Sequence, residues 1–402
     1  MKKSKQVAQV IFYSIFKPLG WLYFVLFQHV RFKKNGWKVP KGPVLIISKH
    51  SSNWDGVWLN AMFFNRIIHF IVHDEMFKGK FLSFLSGTLL GEVKRGPNHQ
   101  DIGPVMEMLR LKKEGKTIGI FPEGDIHMFG RTLPIEPSIA KMIKKLNIPV
   151  VCMRLTGAHL RATRVAKYPY HSHITYEIKE IIMPEEFEQM SVEDLHKRVI
   201  DDIYVDEMEW QRTARVKQHG FKRAEWLELG LFMCPKCHKI ETLKSKGNKF
   251  YCTNCDFEAK LNKYSFFESN YPMPFDCTSL WDDWQLEELK KYLINYPDDT
   301  PIFIGENIDF YKTTIHDFFY KPYAKGEIRL FKDRLEYKEN GTNISKTIYL
   351  KDITRAFLQY KDVLEIVINE DRYRFGRKKE KWSGYLWTRS INYLIEQNNL
   401  KD

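Results

Sequence analysis

The stretch Pro43-Val44-Leu45-Ile46-Ile47-Ser48-Lys49-His50-Ser51-Ser52-Asn53-Trp54-Asp55-Gly56 decides how the chain is read. A short unbroken apolar run ends abruptly in a polar cluster. Such a run is too short for a buried helix and suits a strand covered on both faces, running out into a loop. The following DGVWLNAMFF has helical spacing. Further along, IIHFIV (67–72), KTIGIF, IPVVCMRLTG and HITYEIKEII also read as strands. Between them lie KFLSFLSGTLLG, a helix ending at Gly91; DIGPVMEMLRLKKEG, an amphipathic helix closed by Gly115; and the helix SIAKMIKKLN. Strands alternating with helices predict a layered α/β fold with a mainly parallel sheet.

Upstream, three lysines (Lys2, Lys3, Lys5) precede VAQVIFYSIFKPLGWLYFVLFQHV, which ends at Val30. No small-residue cleavage site follows, which argues against a signal peptide. The stretch is long enough to span a bilayer. However, Lys17-Pro18 and Gly20 interrupt it, and Arg31, Lys33 and Lys34 make the far flank basic as well. These features predict two short apolar helices dipping into one leaflet, with both ends cytosolic. A soluble core helix is the alternative. The aromatics Phe12, Tyr13, Trp21, Tyr23, Phe24 and Phe27 suit an interfacial belt.

Downstream, residues 191–230 read as a long charged helix with Trp210 and Trp226. Two C-x2-C knuckles follow, Cys234/Cys237 and Cys252/Cys255, with Lys246-Gly247-Asn248 as a turn between them. Four thiolates at this spacing form a closed tetrahedral site, which is structural zinc and resembles a zinc ribbon. A redox dithiol is the alternative. Metal-bound thiolates fit a reducing compartment. Cys152 and Cys277 read as buried or half-buried thiols, and His238 as a bystander. From about Pro301 the chain turns β-rich, with Asn340-Gly341 as a hairpin turn, and it ends in an amphipathic helix. Several strands closed by one helix resemble the pleckstrin-homology/GRAM type of small barrel. The implied layout is a membrane-associated helical hairpin at 1–38, an α/β domain at 39–190, a helical connector at 191–229, a zinc ribbon at 230–265 and a β-rich domain at 300–402.

The chain has 402 residues, enough for two or three domains, and 44% are hydrophobic, which rules out wholesale disorder. Its formal net charge of +13 suits an anionic membrane face, a phosphorylated substrate or nucleic acid. Around the knuckles there is no arginine-rich groove with interleaved aromatics, so nucleic acid is not the expected partner. Arg372, Arg374, Arg377, Lys378, Lys379 and Lys381, beside Trp382, Tyr385 and Trp387, form a basic-aromatic stretch suited to anionic lipid headgroups. A solvated helix face is the equal alternative.

Three polar segments fall at predicted strand exits, which α/β sheets gather into one crevice: His50 to Asp55, Gly91-Glu92-Val93-Lys94-Arg95-Gly96, and Phe121-Pro122-Glu123-Gly124. Acyl transfer to an alcohol needs the hydroxyl deprotonated as it attacks. A histidine is the natural base at neutral pH, and a carboxylate on its other nitrogen fixes the tautomer. Here His50 and Asp55 fit those roles. Lys94 and Arg95 supply cations for a phosphate, Gly96 lets backbone approach closely, and Glu123 accepts from a hydroxyl or holds a basic residue. No serine or cysteine nucleophile elbow is evident, which agrees with direct attack. The plainer readings are a packing or capping role for His50 and Asp55, a solvated pair for Lys94 and Arg95, and a turn residue for Glu123.

Together these segments resemble the glycerolipid acyltransferases, which include 1-acylglycerol-3-phosphate acyltransferase. His50 and Asp55 match that family's His-x4-Asp pair, Arg95 its phosphate-binding arginine, Phe121 to Gly124 its third motif and Ile148-Pro149-Val150-Val151 its fourth. IHFIVHDEMFK resembles the usual bridge between the first two. The resemblance covers roughly residues 1–185. It implies an acyl donor on coenzyme A or acyl carrier protein, a lysophospholipid or glycerol-phosphate acceptor, and residence on the cytoplasmic face of a membrane, monotopic or peripheral. One departure stands out. Where the family continues Thr-Arg, this chain has Asp125-Ile126, which points to a different acceptor headgroup unless Arg131 or His127 substitutes. The rival reading is a catalytically lapsed relative that binds lipid, a partner protein or nucleic acid. Oligomeric state is not legible in the sequence.

Overall fold

The computed structural model describes residues 3–73, 83–95, 103–161, 163–314, 321–377 and 381–399. Gly96, residues 74–78 of the IHFIVHDEMFK bridge, Lys378 and Lys379 therefore lie outside the described residues. The chain divides into two compact units. Unit 1 comprises residues 1–163 with 170–219, and unit 2 comprises 164–169 with 220–402.

Unit 1 is built on a seven-stranded sheet. Its strands are β1 (Val30–Lys33), β2 (Leu45–Ser48), β3 (Ile68–His73), β4 (Val93–Arg95), β5 (Thr117–Ile120), β6 (Val150–Thr156) and β7 (Ile174–Ile182), in the order β1-β7-β6-β2-β5-β3-β4. All neighbours run parallel except β6 and β7. Strand β2 lies at the centre, and its four residues are all buried. Successive side chains of a strand face opposite ways. Accordingly Leu45 and Ile47 join one core with Ile118, Val150, Ile143 and Leu195, while Ile46 joins the other with Val151, Trp58, Phe70 and Tyr176. The continuous apolar run in the sequence thus reflects a strand covered on both faces.

At the N-terminus the expected pair of short helices is one helix, α1 (Lys3–Leu26), with Pro18 inside it. Lys17 explains the difference. It is buried, and its ammonium donates to the backbone oxygens of Phe63 (2.6 Å) and Arg66, just past the C-terminal end of α2 (Asp55–Met62). What looked like an interruption is an anchor. Gln9, Tyr13, Gly20 and Phe24 continue the buried stripe, while Val7, Val10, Ile11, Ile15, Leu19 and Leu22 form an exposed apolar one.

The long helix expected over 191–230 is also replaced. Two helices, Val192–Ile203 and Glu207–Ala214, are separated at Tyr204, which is extended, and the second is started by Asp206 accepting from the amides of Met208 and Glu209. Both belong to unit 1.

In unit 2 the knuckles carry a four-stranded antiparallel sheet, β8 (Leu243–Lys246), β9 (Lys249–Cys252), β10 (Glu258–Leu261) and β11 (Phe267–Ser269). After the helix Thr278–Asn295 comes a seven-stranded antiparallel sheet: β12 (Phe303–Thr314), β13 (Lys321–Leu330), β14 (Arg334–Glu339), β15 (Ser345–Tyr349), β16 (Arg355–Gln359), β17 (Val363–Ile368) and β18 (Asp371–Gly376). The helix Gly384–Asn399 packs on β16 and β17. The β14–β15 turn contains Asn340-Gly341 as expected.

Among the described residues, the basic-aromatic stretch near the C-terminus is only partly at the surface: Lys381 is exposed and Arg377 half-buried. Arg372 and Arg374 are buried in β18, Glu365 stands opposite Arg374 in β17, and Trp382, Tyr385 and Trp387 are core residues. Cross-strand charge pairing, invisible without the register, takes those arginines inward.

Candidate active site

Because β2, β5, β3 and β4 run parallel, their carboxyl ends share one edge of the sheet. His50 follows β2, Glu123 follows β5, and the backbone of Lys94 and Arg95 closes β4 at that same edge. The predicted residues therefore converge on the crevice side, with Gly96 beyond the described backbone.

Asp55 sits in the first turn of α2 with its carboxylate fully buried. One oxygen, Oδ2, accepts from the amides of Ser51 (2.7 Å) and Ser52 (2.9 Å) and lies 2.9 Å from Nδ1 of His50. The 50–54 loop is wrapped around this carboxylate, and the helix N-terminus favours its charge. The other oxygen accepts the hydroxyl of Tyr176 in β7 at 3.0 Å. Burial and the adjacent Asp55 charge push that phenol well above its usual range, so it stays a donor. With Nδ1 donating to Asp55, the lone pair of a neutral His50 ring is on Nε2. The His50 side chain is 22% exposed, enough for a reactant to reach it. Its ring stacks on Phe121 (4.5 Å, 11°), which stacks on Phe70 (5.0 Å, 3°). Gly119 makes room for Phe70: a Cβ there would lie 2.4 Å from the ring.

Glu123 is committed to the backbone. Its two oxygens accept from the amides of His50 and Leu133, each at 2.6 Å. Burial pushes its carboxyl up to about 7, opposed by the Leu133 amide, the Lys49 ammonium and the His50 amide. It thus braces the histidine loop. Gly124, at φ +71, turns the chain after it, with its amide 3.2 Å from the Phe121 oxygen.

Several members of this arrangement were not legible in the motifs. Tyr176 lies in a strand whose alternating pattern signals only burial. Lys49 is buried, donating to the Gly130 oxygen (3.1 Å) and paired with Glu207 (3.2 Å). Glu207 in turn accepts from the amides of His159 and Leu160. His127 accepts from the Gly130 amide on Nδ1 (3.0 Å), which leaves Nε2 to donate to Ser51 Oγ at 2.9 Å. Arg131 is ion-paired with Asp206 at 3.0 Å. Both residues considered as replacements for the missing Thr-Arg cation are therefore engaged in holding loops. The Asp125 carboxylate accepts from the Ile126 amide.

In unit 2, the sulfurs of Cys234, Cys237, Cys252 and Cys255 lie within 4.8 Å of one another, with Cys234–Cys255 at 3.7 Å and Cys237–Cys252 at 3.8 Å. A tetrahedron with metal–sulfur bonds of about 2.3 Å has edges of about 3.8 Å, so the cluster fits one metal ion. The Asn254 amide donates to Cys252 Sγ at 3.3 Å, which suits a thiolate there.

Residues 29–156 match the family model Acyltransferase. That segment contains His50, Asp55, Lys94, Arg95, Glu123 and the Pro149 strand, so the chain carries an acyltransferase-family domain. No curated protein matches. Among solved structures, the chain is similar to PlsC, the 1-acyl-sn-glycerophosphate acyltransferase of Thermotoga maritima, at a TM-score of 0.41 and 19% identity over 50% of this chain and 80% of that one. It is also similar to the N-terminal PH domain of human ARAP2 (TM-score 0.20, 14% identity, 25% and 84% covered). A third likeness is to the Ran-binding domain of NUP2 from Ashbya gossypii (TM-score 0.19, 12% identity, 24% and 98% covered).

Proposed function

We propose, taking the acyltransferase-family domain at residues 29–156 as the premise, that the protein moves a fatty acyl group from a thioester donor to the hydroxyl of a lysophospholipid or glycerol-phosphate-type lipid. The observation that carries this reading is the relay from Tyr176 through buried Asp55 to Nδ1 of His50. It fixes the tautomer that presents Nε2 as base. The acceptor hydroxyl gives its proton to Nε2 as its oxygen attacks the thioester carbonyl. The tetrahedral intermediate then collapses, the C–S bond breaks, and the leaving thiolate takes the proton from the imidazolium. No acyl-enzyme forms, and the donor is acyl-coenzyme A or acyl carrier protein. Lys94 and Arg95, at the same sheet edge, bind the acceptor phosphate, and Gly96 gives it close backbone approach.

The exposed stripe of α1 lays unit 1 on a membrane, in monotopic fashion on the cytoplasmic face, with its buried stripe docked on the sheet domain. Length and composition alone would also allow α1 to cross a bilayer. The four cysteines hold zinc as a structural ion that keeps β8–β11 folded. The β-rich region that follows is of the pleckstrin-homology/GRAM type. Asp125 favours an acceptor headgroup other than that of the usual glycerol-phosphate substrate, and it is also the one feature that favours a lapsed relative. The intact His50–Asp55–Tyr176 relay argues for turnover. The test is transfer by detergent-solubilised protein from acyl-coenzyme A or acyl carrier protein to a panel of lysolipids. Product from at least one acceptor is expected; none from well-folded, metal-loaded protein would leave the binding reading.

A further inference from the structure

We propose that a lysine-and-aromatic patch on unit 2 docks on anionic lipid headgroups at a bilayer surface, as an attachment separate from α1. Three segments distant in sequence build it: residues 164–169, residues 220–226 and the β16–β17 turn at 360–362. They are locked together. Arg164 donates to the backbone oxygens of Leu358 (2.6 Å) and Tyr360 (2.9 Å), and Lys361 donates to the oxygen of Ala166. Lys167 is ion-paired with Glu225 at 3.7 Å.

Positive charge is concentrated there on aromatic faces. The ammonium groups of Lys361 and Lys167 lie 5.0 and 5.7 Å from the centre of the same indole, Trp226. Lys167 and Lys222 lie 5.4 and 5.7 Å from the centre of the Tyr168 ring. Cations gathered this way repel one another and are relieved by an anion. The acids facing them are Glu225, which also accepts the Gly247 amide at 2.8 Å, and Asp362. Two rings project from the patch: Phe221, 64% exposed and 5.4 Å from Tyr168, and Tyr360, 59% exposed at the hairpin tip. Lys222, Trp226 and Tyr360 have φ of +56°, +76° and +54°, a region non-glycine residues seldom occupy. Backbone held there by surrounding contacts clusters at sites of use.

A bilayer is the occupant this chemistry favours. Lysines bind anionic headgroups while exposed Phe and Tyr rings enter the interfacial layer. The same chain exposes an apolar stripe on α1, and stable attachment to a membrane generally takes two signals. The patch also differs from the basic stretch that sequence alone suggested, whose Arg372 and Arg374 are buried.

The experiment is flotation of the full-length, metal-loaded protein with vesicles of phosphatidylcholine alone, or of phosphatidylcholine and phosphatidylglycerol in equal parts. The double variant K167A/K222A is expected to bind the anionic vesicles about 25-fold more weakly, about fivefold per lysine, and to bind the neutral ones like the wild type. K167R/K222R should restore the anionic preference. Phe221→Ser should weaken binding to both vesicle types. These are surface changes, so unfolding midpoints should match the wild type. Undiminished binding of K167A/K222A to anionic vesicles would overturn the proposal. So would salt-steep nucleic-acid binding that depends on these lysines while vesicle binding does not. None of these readouts depends on acyl transfer.

Discussion

The ammonium of Lys49, the residue before His50, is buried against the carboxylate of Glu207, 3.2 Å away, in a helix that lies beyond the segment matching the acyltransferase family. Both side chains are fully buried. The pair joins the histidine loop, the Gly130 oxygen and the amides of His159 and Leu160 in one polar network. Removing one partner leaves an uncompensated buried charge. Lys49→Met or Glu207→Leu alone should each cost about 3–5 kcal/mol of stability, and the double variant markedly less than the sum. Denaturant unfolding of the set measures this; additive losses would show that the two charges are not coupled.

Asp55→Asn keeps the shape of the carboxylate but no longer fixes the His50 tautomer, so kcat should fall on the order of 10³–10⁴-fold. Tyr176→Phe removes one hydrogen bond to Asp55, worth about 1.5–3 kcal/mol for a charged acceptor, and should lower kcat roughly 10- to 150-fold. In both, KM for the acceptor should hold. A rise in KM at constant kcat would instead assign these residues to binding.

Glu123 sets an expected pH dependence. Its carboxyl is pushed up to about 7 by burial. As pH falls through about 7 it takes a proton and its hold on the His50 and Leu133 amides weakens, so activity should decline on that side. Stability runs the other way. A carboxyl whose folded pKa is raised contributes stability that is fully present below its ordinary value and is lost as pH rises through about 7. Glu123→Gln should remove its share of both trends, with lower activity at neutral pH. Profiles of kcat and of unfolding free energy against pH, for both proteins, check the opposed signs.

Metal removal should act locally. A strong chelator, or Cys234→Ser, is expected to release one zinc per chain and to abolish amide-exchange protection in β8–β11, because the closed thiolate site supplies the folding energy of such modules. Retained protection in metal-free protein would show that the antiparallel sheet stands by itself.

How far the sequence could be read follows from the kind of signal each feature leaves. The strands around β2 and the convergence of His50, Asp55 and Glu123 were legible because apolar runs and strand-exit motifs are local patterns. Tyr176 and Glu207 were not, since each meets its partner only through strand order or a helix remote in sequence. Lys17-Pro18 misled for a related reason: a lysine in an apolar helix reads as a break until its carbonyl partners at Phe63 and Arg66 are known. Similarly, Arg372 and Arg374 read as surface charge until the β17–β18 register places Glu365 beside them.

In the proposed reaction His50 is the base for acyl transfer. The most direct measurement compares turnover by wild-type protein and His50→Ala, each metal-loaded and folded, with acyl-coenzyme A and the lysolipid the wild type uses best. Product is expected from the wild type and loss of transfer in the variant, with an unchanged unfolding midpoint. Undiminished turnover by His50→Ala would contradict that role.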